Sequence, residues 1–567
     1  MNYDFSPNHD VNEMLNNVVQ SITNLAEEQL AHIKRLTRIG ESLSSETDLD
    51  KIFDMILEEG IEFTLADAAT IYKVSEDGKF LEFEILYNAT LNIRQGGSRN
   101  PTKWANKIPL YTPEGKPSLR NIVTSVYHNK SSLSFDDVYE TKDYDICGTI
   151  DFDTKSNYRC KSMLTIPLKN HEDEVLGVIQ FINAMDEQKN IVSFTAEHKT
   201  MLSSLASQAA IALSNRVLIQ GMESLLNQFV RSIATAIERK SKYSGAHISR
   251  VATLTELFAD KINLADEHYF GGRRFTDAEL KELSMAGWMH DVGKIVTPEF
   301  IMDKSTKLET IFDRIEMVQL RFEKLDLFLR LLKTKLSEDE YASFIKEHID
   351  AEVDPANVHE FITEGLAFVI KLNVGEEFVA EQDIKHVEKL SAIDFQYDNQ
   401  HYCLFSESEK QNLMITGRGT FTGAEFQIMK DHVAITWEML SQITFPKKYK
   451  NVAFYASQHH EALNGRGYPK GLTATDLSLQ SRIIAVADIF EALTAADRPY
   501  KKPKTLSESL DIITTMVKIG HLDKDLVSYF MDSGLYLEYA NRFMQPEYID
   551  EVNIAALKNK YAEEVTK

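Results

Sequence analysis

From Glu197 to Lys240 the chain reads EHKTMLSSLASQAAIALSNRVLIQGMESLLNQFVRSIATAIERK, with apolar residues at Leu202, Leu205, Ala209, Ala212, Met222, Leu225, Phe229 and Ile233. Recurrence every three or four positions marks one face of a helix. Unbroken, that helix would be roughly 65 Å long at 1.5 Å per residue, about twice the span of a small domain. A helix of that length connects domains or pairs with its twin. An interruption near Gly221 would instead leave two ordinary helices.

The sequence changes character across this divide. Between Met14 and about Leu43, the residues Val18, Ile22, Ala26, Leu30, Ile33, Leu36 and Ile39 repeat at helical spacing, so residues 1–46 are expected to form an amphipathic helix. It either packs on its own domain or pairs in a coiled coil. Residues 47–196 alternate strand-like runs, AATIYKV, FLEFEIL, SMLTIPL and EVLGVIQFI, with polar loops bearing Asp and Gly, which predicts an α/β domain built on a sheet. Beyond residue 240 the sequence reads as helical almost throughout. Within 305–418 lies the run KLETIFDRIEMVQLRFEKLDLFLRLLKTKL, whose residues Leu308, Ile311, Ile315, Val318, Phe322 and Leu325 form a single predicted stripe for core or interface packing.

A chain of 567 residues has room for about three or four domains. Hydrophobic residues at 43% and charged residues at 26% place it among globular proteins and not disordered ones. The net charge of -24 argues against a nucleic acid polymer as partner, because such binding draws on Lys and Arg neutralising phosphates. A small phosphorylated ligand in a local basic pocket remains compatible. Cys147, Cys160 and Cys403 are far apart and form no metal-ligand pattern, which suits a reducing compartment. The opening MNYDFSPNHD has no basic start followed by an apolar stretch, and runs such as GLAFVIKL fall short of the roughly 20 residues of a membrane span. The expectation is a cytoplasmic protein without a membrane segment.

Chemistry concentrates in a few scattered stretches. HHEALNGRGYPKGL, residues 459–472, sets His459 and His460 ahead of a glycine-rich turn; alone it reads equally well as a solvated helix end. GAHISRV contributes His247, AGWMHDVGK contributes His290, Asp291 and Lys294, and IMKDHVAITWEML contributes His432. Taken singly, His247 and His432 read as core or surface histidines. Asp488 is harder to place passively, because it interrupts the apolar helix IIAVADIFEAL, where a buried carboxylate needs a cation or several donors.

Together these stretches resemble the HD-GYP branch of the HD-domain metal-dependent phosphohydrolases. The His-Asp pair of HDVGK, the distal His432, HHEALNGRGYP, and the Asp488 helix followed by DRPYK stand in family order. The resemblance covers about 225–305 and 418–530. It implies an all-α HD-GYP domain, with a first part at 241–304, a mainly helical insertion at 305–418 and a second part with C-terminal helices at 419–567.

The resemblance further implies two divalent metal ions, iron or manganese by the mixed imidazole and carboxylate donor set. His247, His290, Asp291 and Asp488 would surround one ion and Asp291, His432, His459 and His460 the other, with Asp291 bridging. The implied reaction is hydrolysis of cyclic di-GMP to pGpG, and onward to GMP, by a hydroxide activated between the ions. Asp291 and Lys294 would be the catalytic residues, Lys294 also meeting a phosphate oxygen. Arg498 and Lys501 would serve the second phosphate, Arg by bidentate geometry and Lys as a point charge. Gly465 and Gly467 would let the loop turn beside the substrate, with Tyr468 and Pro469 stiffening it.

Three departures qualify this pattern. Asn464 stands where the family commonly has Asp; the step from Asp488 to Arg498 is one residue longer than usual; and Tyr243 occupies the place where three-metal relatives carry a glutamate. Two metals are therefore expected, with Glu238 not a third-site ligand.

TDLDKIFDMILEEGIEFTLADAATIYKV, with YRCKSMLTIPLKNHEDEVLGVIQFINA and LSSLASQAAIALSN, resembles a GAF domain over about 47–215. This implies an antiparallel sheet flanked by helices and a sensory role, its ligand a cyclic nucleotide, another small molecule or none. Cys147 and Cys160 read as buried structural cysteines and not as attachment points for a chromophore. Helix 197–240 would relay a change in the GAF domain to the catalytic helices, within a homodimer formed through helices 14–43 and 197–240. Two other function classes stay open: an HD-type enzyme with another substrate, such as cyclic GMP-AMP or the oxygen-dependent chemistry of some di-iron relatives, and a non-catalytic binding module.

Overall fold

A computed structural model describes residues 8–46, 48–100, 102, 106–241, 246–375, 379–416, 419–496 and 503–562. The chain forms two compact units, Met1–Leu225 and Leu226–Lys567.

In the first unit, helix α1 (His9–Ser45) begins at Asn8, whose side chain accepts from the amides of Asp10 and Val11. Helix α2 (Leu49–Thr64) leads into strands β1 (Ala68–Val74), β2 (Phe80–Asn88), β3 (Ile93–Gly96) and β4 (Lys107–Pro109). Helix α3 (Ile122–Asn129), strand β5 (Leu133–Phe135) and helix α4 (Cys147–Ser156) precede β6 (Met163–Lys169) and β7 (Val175–Ile182). The sheet is antiparallel in the order β3-β2-β1-β7-β6-β5, with β4 also pairing β2.

Period-2 alternation sorts the strand residues onto two faces. Ile71, Ile179 and Phe181 join Ile39, Leu43, Ile52, Ile56, Leu202, Leu205 and Ala209 in one core; Tyr72 and Val178 join Val123 and Val126 in another. The sheet is thus covered by helices on both faces, the GAF arrangement expected from the sequence.

Helix α5 (Ala196–Lys240) runs unbroken for 45 residues, so Gly221 does not interrupt it. Its early residues Leu202, Leu205 and Ala209 are buried in the GAF core, whereas Met222, Leu225 and Phe229 are exposed. The apolar face of α1 divides similarly: Ile39 and Leu43 are buried, while Val18, Ile22, Leu25 and Leu30 face solvent. Cys160 is buried and donates to Asp153, but Cys147 is exposed at the start of α4, contrary to the expectation of a buried position.

The second unit is helical. Four of its helices matter most here: α6 (His247–Leu264), α7 (Asp277–Met289), α8 (Gly423–Ser441) and α9 (Leu479–Thr494). Capping boxes start α7 at Thr276 and Glu279 and start α8 at Thr422 and Glu425, each satisfying amides that have no partner within the helix. One core gathers Val251, Phe258, Leu283, Ala286, Ile484 and Phe490 with Val230, Ala234 and Ile237 from the end of α5.

The stretch 305–418 builds a core of its own around Val318, Phe322, Leu329, Ile345, Ile362 and Leu390. Two differences from the sequence reading arise there. Ile311 is 92% exposed, because the helix begins only at Ile315 and the preceding residues form a turn. A hairpin, Asp394–Tyr397 with Gln400–Cys403, interrupts the helices; Phe395 and Tyr402 stack across it. Among the described residues, no helix is long and apolar enough to cross a membrane.

Candidate metal centre

His247 is the first residue of α6, and His290 and Asp291 follow directly on α7. Lys294 lies in the 3-10 turn Val292–Val296. His432 sits within α8, His459 and His460 follow the short helix Val452–Ala456, and Asp488 projects from the buried face of α9. Gly293 allows the 3-10 turn to lie against α8, since a Cβ there would stand 1.9 Å from the His432 carbonyl oxygen.

These folds bring the seven predicted ligands together. His247, His290 and Asp488 converge on one point, and His432, His459 and His460 on another, with the ligand atoms of each group within 4.8 Å of one another. Asp291 lies between the groups and divides its oxygens. Oδ2 is 3.2 Å from His247 Nε2 and 3.3 Å from His290 Nε2; Oδ1 is 3.3 Å from His432 Nε2 and 3.9 Å from His459 Nε2. Asp488 Oδ1 stands 3.3 Å from His247 Nε2.

The ring orientations follow from the backbone. Nδ1 of His290, His432 and His459 meets the carbonyl oxygen of Gly287, Met429 and Ala456 respectively, three residues earlier in each case. A carbonyl only accepts, so Nδ1 carries the hydrogen, and the tautomer this selects has its lone pair at Nε2. All three Nε2 atoms are buried without a hydrogen-bond partner. Lone pairs aimed at a carboxylate call for a cation between them. Two ligand atoms on one octahedral ion with bonds of about 2.1 Å lie about 3 Å apart, close to the shorter separations here.

Electrostatics agree with this fit. Burial opposes the charge of Asp291, but Lys294 and the imidazoles of His290 and His247 outweigh it and hold the carboxyl well below its usual range. Asp488 is likewise held low against burial, chiefly by His247. Burial pushes His459 well below the ordinary imidazole value and His460 down to about 4, so both are neutral near pH 7 and ready to donate electron pairs. Burial alone would lower His247, yet Glu491, Asp291 and Asp488 raise it well above its ordinary value.

Lys294 donates to Asp291 Oδ2 at 2.6 Å, at the edge of the cluster. Tyr468 stacks on His460, their ring centroids 4.8 Å apart. Gly465 makes a left-handed turn with φ 74, and Gly467 leaves no room for a side chain, because a Cβ would lie 2.3 Å from the Ala462 nitrogen. Asn464 has a use that Asp could not fill: its amide nitrogen donates to the Ile519 carbonyl at 2.8 Å while its oxygen accepts from the Arg466 amide. Arg498, Lys501 and Tyr243 lie outside the described residues. Glu238 accepts a hydrogen bond from the Ser249 amide.

Several supporting residues escaped the sequence reading. Glu491, one turn beyond Asp488, is buried, receives Nδ1 of His247 and pairs with Arg250 at 2.7 Å. Thr436, one turn beyond His432, accepts from the Gly293 amide and donates to the His290 carbonyl, tying α8 to the segment that bears Asp291. Glu461 accepts from the amides of Lys470 and Leu472 and thereby closes the glycine-rich loop. Their common signal is a polar residue one turn from a candidate ligand, or next to one, in an otherwise apolar setting.

Comparison with known proteins places both halves. The GAF domain family matches residues 48–213, and HD domain families match residues 245–393 and 409–526. The chain therefore carries an N-terminal GAF domain followed by an HD domain region. Among curated relatives, it is 36% identical over 102 residues to 3'3'-cGAMP-specific phosphodiesterase 3 of Vibrio cholerae, covering 18% of this chain and 21% of the relative. It is 47% identical over 75 residues to 3'3'-cGAMP-specific phosphodiesterase 1 of the same organism, covering 13% and 17%. It is 40% identical over 98 residues to a cyclic di-GMP phosphodiesterase of Thermotoga maritima, covering 17% and 26%. The matches thus span 17% to 26% of the lengths of these relatives. A GAF domain joined to an HD-GYP-type region fits all of these matches.

Proposed function

We propose that the chain is a GAF-regulated, metal-dependent phosphodiesterase that opens cyclic di-GMP to pGpG, with further cleavage to GMP at the same site. The observation that carries this reading is the division of one buried carboxylate, Asp291, between two groups of ligand atoms. In this reading His247, His290, Asp291 and Asp488 hold one divalent ion, and Asp291, His432, His459 and His460 hold a second. The donor set, five imidazoles and two carboxylates, suits iron or manganese. When bound, the ions supply Lewis acidity to the phosphoryl oxygens and an activated water for in-line attack.

The chain's own groups perform the rest. Asp291 stays ionised at neutral pH and keeps the two ligand groups in register. Lys294 sits at the edge of the cluster, where its ammonium can turn from Asp291 to a non-bridging phosphate oxygen and offset charge that grows in the transition state. Tyr468, stacked on His460, and the loop of Gly465 and Gly467 form a wall beside the centre. For the second phosphate of the substrate the family pattern alone proposes Arg498 and Lys501, which lie outside the described residues.

A second reading has its own support: two relatives are named as specific for 3'3'-cGAMP, which makes that cyclic dinucleotide the alternative substrate. Regulation is assigned to the GAF domain acting along α5, in a cytoplasmic homodimer formed through helices 14–43 and 197–240. The exposed apolar residues Val18, Ile22 and Leu25 of α1 and Met222, Leu225 and Phe229 of α5 support that pairing. Deleting residues 1–215 tests it: unchanged dimerisation with unchanged, unregulated activity contradicts the assignment.

The experiment for the activity is incubation of the full chain, loaded with manganese or iron(II), with cyclic di-GMP and with 3'3'-cGAMP. A linear dinucleotide product supports the reading. No product from either substrate, with both ions shown to be bound, removes it in favour of another di-metal chemistry or a binding module.

A further inference from the structure

The last turn of α5 is bonded to both segments that deliver the ends of the candidate site. A lysine at a helix C-terminus ordinarily serves the carbonyls of its own helix. Lys240 turns away from them. Its Nζ donates to the carbonyl oxygens of Lys294 at 3.3 Å, Thr297 at 2.6 Å and Ile295. The first and third close the end of the 3-10 turn Val292–Val296, whose carbonyls have few partners within the turn, and Thr297 follows it directly; Lys294 O also accepts from the Thr297 amide. An ammonium has three N–H donors, and here they meet two carbonyls of the turn that carries Lys294 and that of Thr297 directly after it.

Glu238, in the same helical turn, fills a different gap. Helix α6 starts at His247 behind Ala246, which makes no side-chain cap hydrogen bond. The amide of its third residue, Ser249, donates instead to Glu238 Oε1 at 3.1 Å. A carboxylate from α5 thus does for α6 what Ser, Thr or Asp does at other helix starts, and its charge favours the N-terminal end of the helix dipole. The turn so held is the one that presents His247. Ser241, the next residue of the chain beyond α5, adds a hydrogen bond to Asp303, which ends the short helix Glu299–Met302.

We infer that Glu238 and Lys240 are positioning residues of this site: Glu238 fixes the turn that bears His247, and Lys240 fixes the turn that bears Lys294. The inference rests on the proposed function for its effect on turnover, but not for its effect on metal binding. Because both residues end a helix that begins in the GAF half of the chain, they give the proposed regulation a defined place of action.

The test uses four full-length variants. Lys240→Met removes the three donors and keeps an unbranched apolar stem one atom shorter, and Lys240→Arg restores donors; Glu238→Met removes the acceptor, and Glu238→Gln retains one. For Lys240→Met the expected result is two bound ions at unchanged affinity with kcat lowered about tenfold, most of it recovered in Lys240→Arg. For Glu238→Met it is an affinity about tenfold weaker for one of the two ions, read by manganese titration without substrate and recovered in Glu238→Gln. Should Lys240→Met fail to fold, Lys240→Gln, polar but too short to reach the three carbonyls, replaces it and is expected to show the same lowered kcat. Folded Met variants with unchanged kcat and unchanged metal affinity, whatever their melting temperature, would overturn the inference. If the wild-type chain turns over no cyclic dinucleotide, the proposed activity fails, while the manganese titration of Glu238→Met still decides the role of Glu238.

Discussion

Lys294 donates to Asp291 Oδ2 across 2.6 Å, so one carboxylate oxygen faces an ammonium as well as the Nε2 atoms of His247 and His290. Under the proposed function the ammonium is the group in this set that can follow a substrate phosphate, since the imidazoles are fixed by their Nδ1 hydrogen bonds. Lys294→Met is therefore expected to retain both metal ions and to lose about a hundredfold in kcat, comparable to removing one donor from a preorganised oxyanion site. Metal analysis combined with turnover of cyclic di-GMP checks this.

Glu491 orients His247 through Nδ1 and is itself held by Arg250. Outer partners of this kind set the direction and basicity of a metal-binding imidazole. Glu491→Gln is expected to weaken binding of one ion by about 10- to 100-fold while leaving the other unchanged. Stepwise titration with manganese distinguishes that result from an equal loss at both positions.

The metal-free protein should lose stability in mild acid. His460 is held down to about 4 and His459 well below its ordinary value, both chiefly by burial. Unfolding returns them to roughly 6.5, so the unfolded chain binds more protons below that pH. Their contribution is whole above about pH 6.5 and falls away toward pH 4, by on the order of 3 kcal/mol for His460. His247, raised in the fold, has the opposite sign; its contribution is complete below about 6.5 and lost only as pH rises through its folded value, so it does not cancel the acid loss. Urea midpoints of the metal-stripped chain between pH 7 and pH 4 test this, with His460→Gln expected to flatten the slope.

Gly467→Ala tests the loop. Its Cβ would fall 2.3 Å from the Ala462 nitrogen and 2.4 Å from Glu461 Cα, and backbone atoms cannot yield as a side-chain tip can. The loop must shift, and Tyr468 with it, away from its stack on His460. The expected cost is about 1–3 kcal/mol of stability, measured by urea denaturation.

Much of this was legible in the sequence because it rests on periodicity or on an implausible burial. The 197–240 repeat gave α5, the alternating runs gave the strands of the GAF sheet, and the misfit of Asp488 in an apolar helix pointed to a cationic partner. What stayed hidden depends on contacts between distant segments. Glu238 looks like an ordinary acid near a helix end and Glu491 like a second acid in the apolar helix of Asp488 until Ser249 and His247 arrive from elsewhere, and Lys240 looks like a helix-ending lysine until the 3-10 turn folds against it. Ile311 shows the opposite failure: its spacing fits the apolar stripe, but the helix starts four residues later and leaves it in solvent.

In the proposed site Asp291 joins two metal positions. The most direct measurement is electron paramagnetic resonance of the full chain titrated with manganese(II), alongside a count of bound ions. Two ions per chain with an exchange-coupled signal, and loss of that coupled signal in Asp291→Ala, is the predicted result. A single ion at saturation, or two ions that show no magnetic coupling, would contradict it.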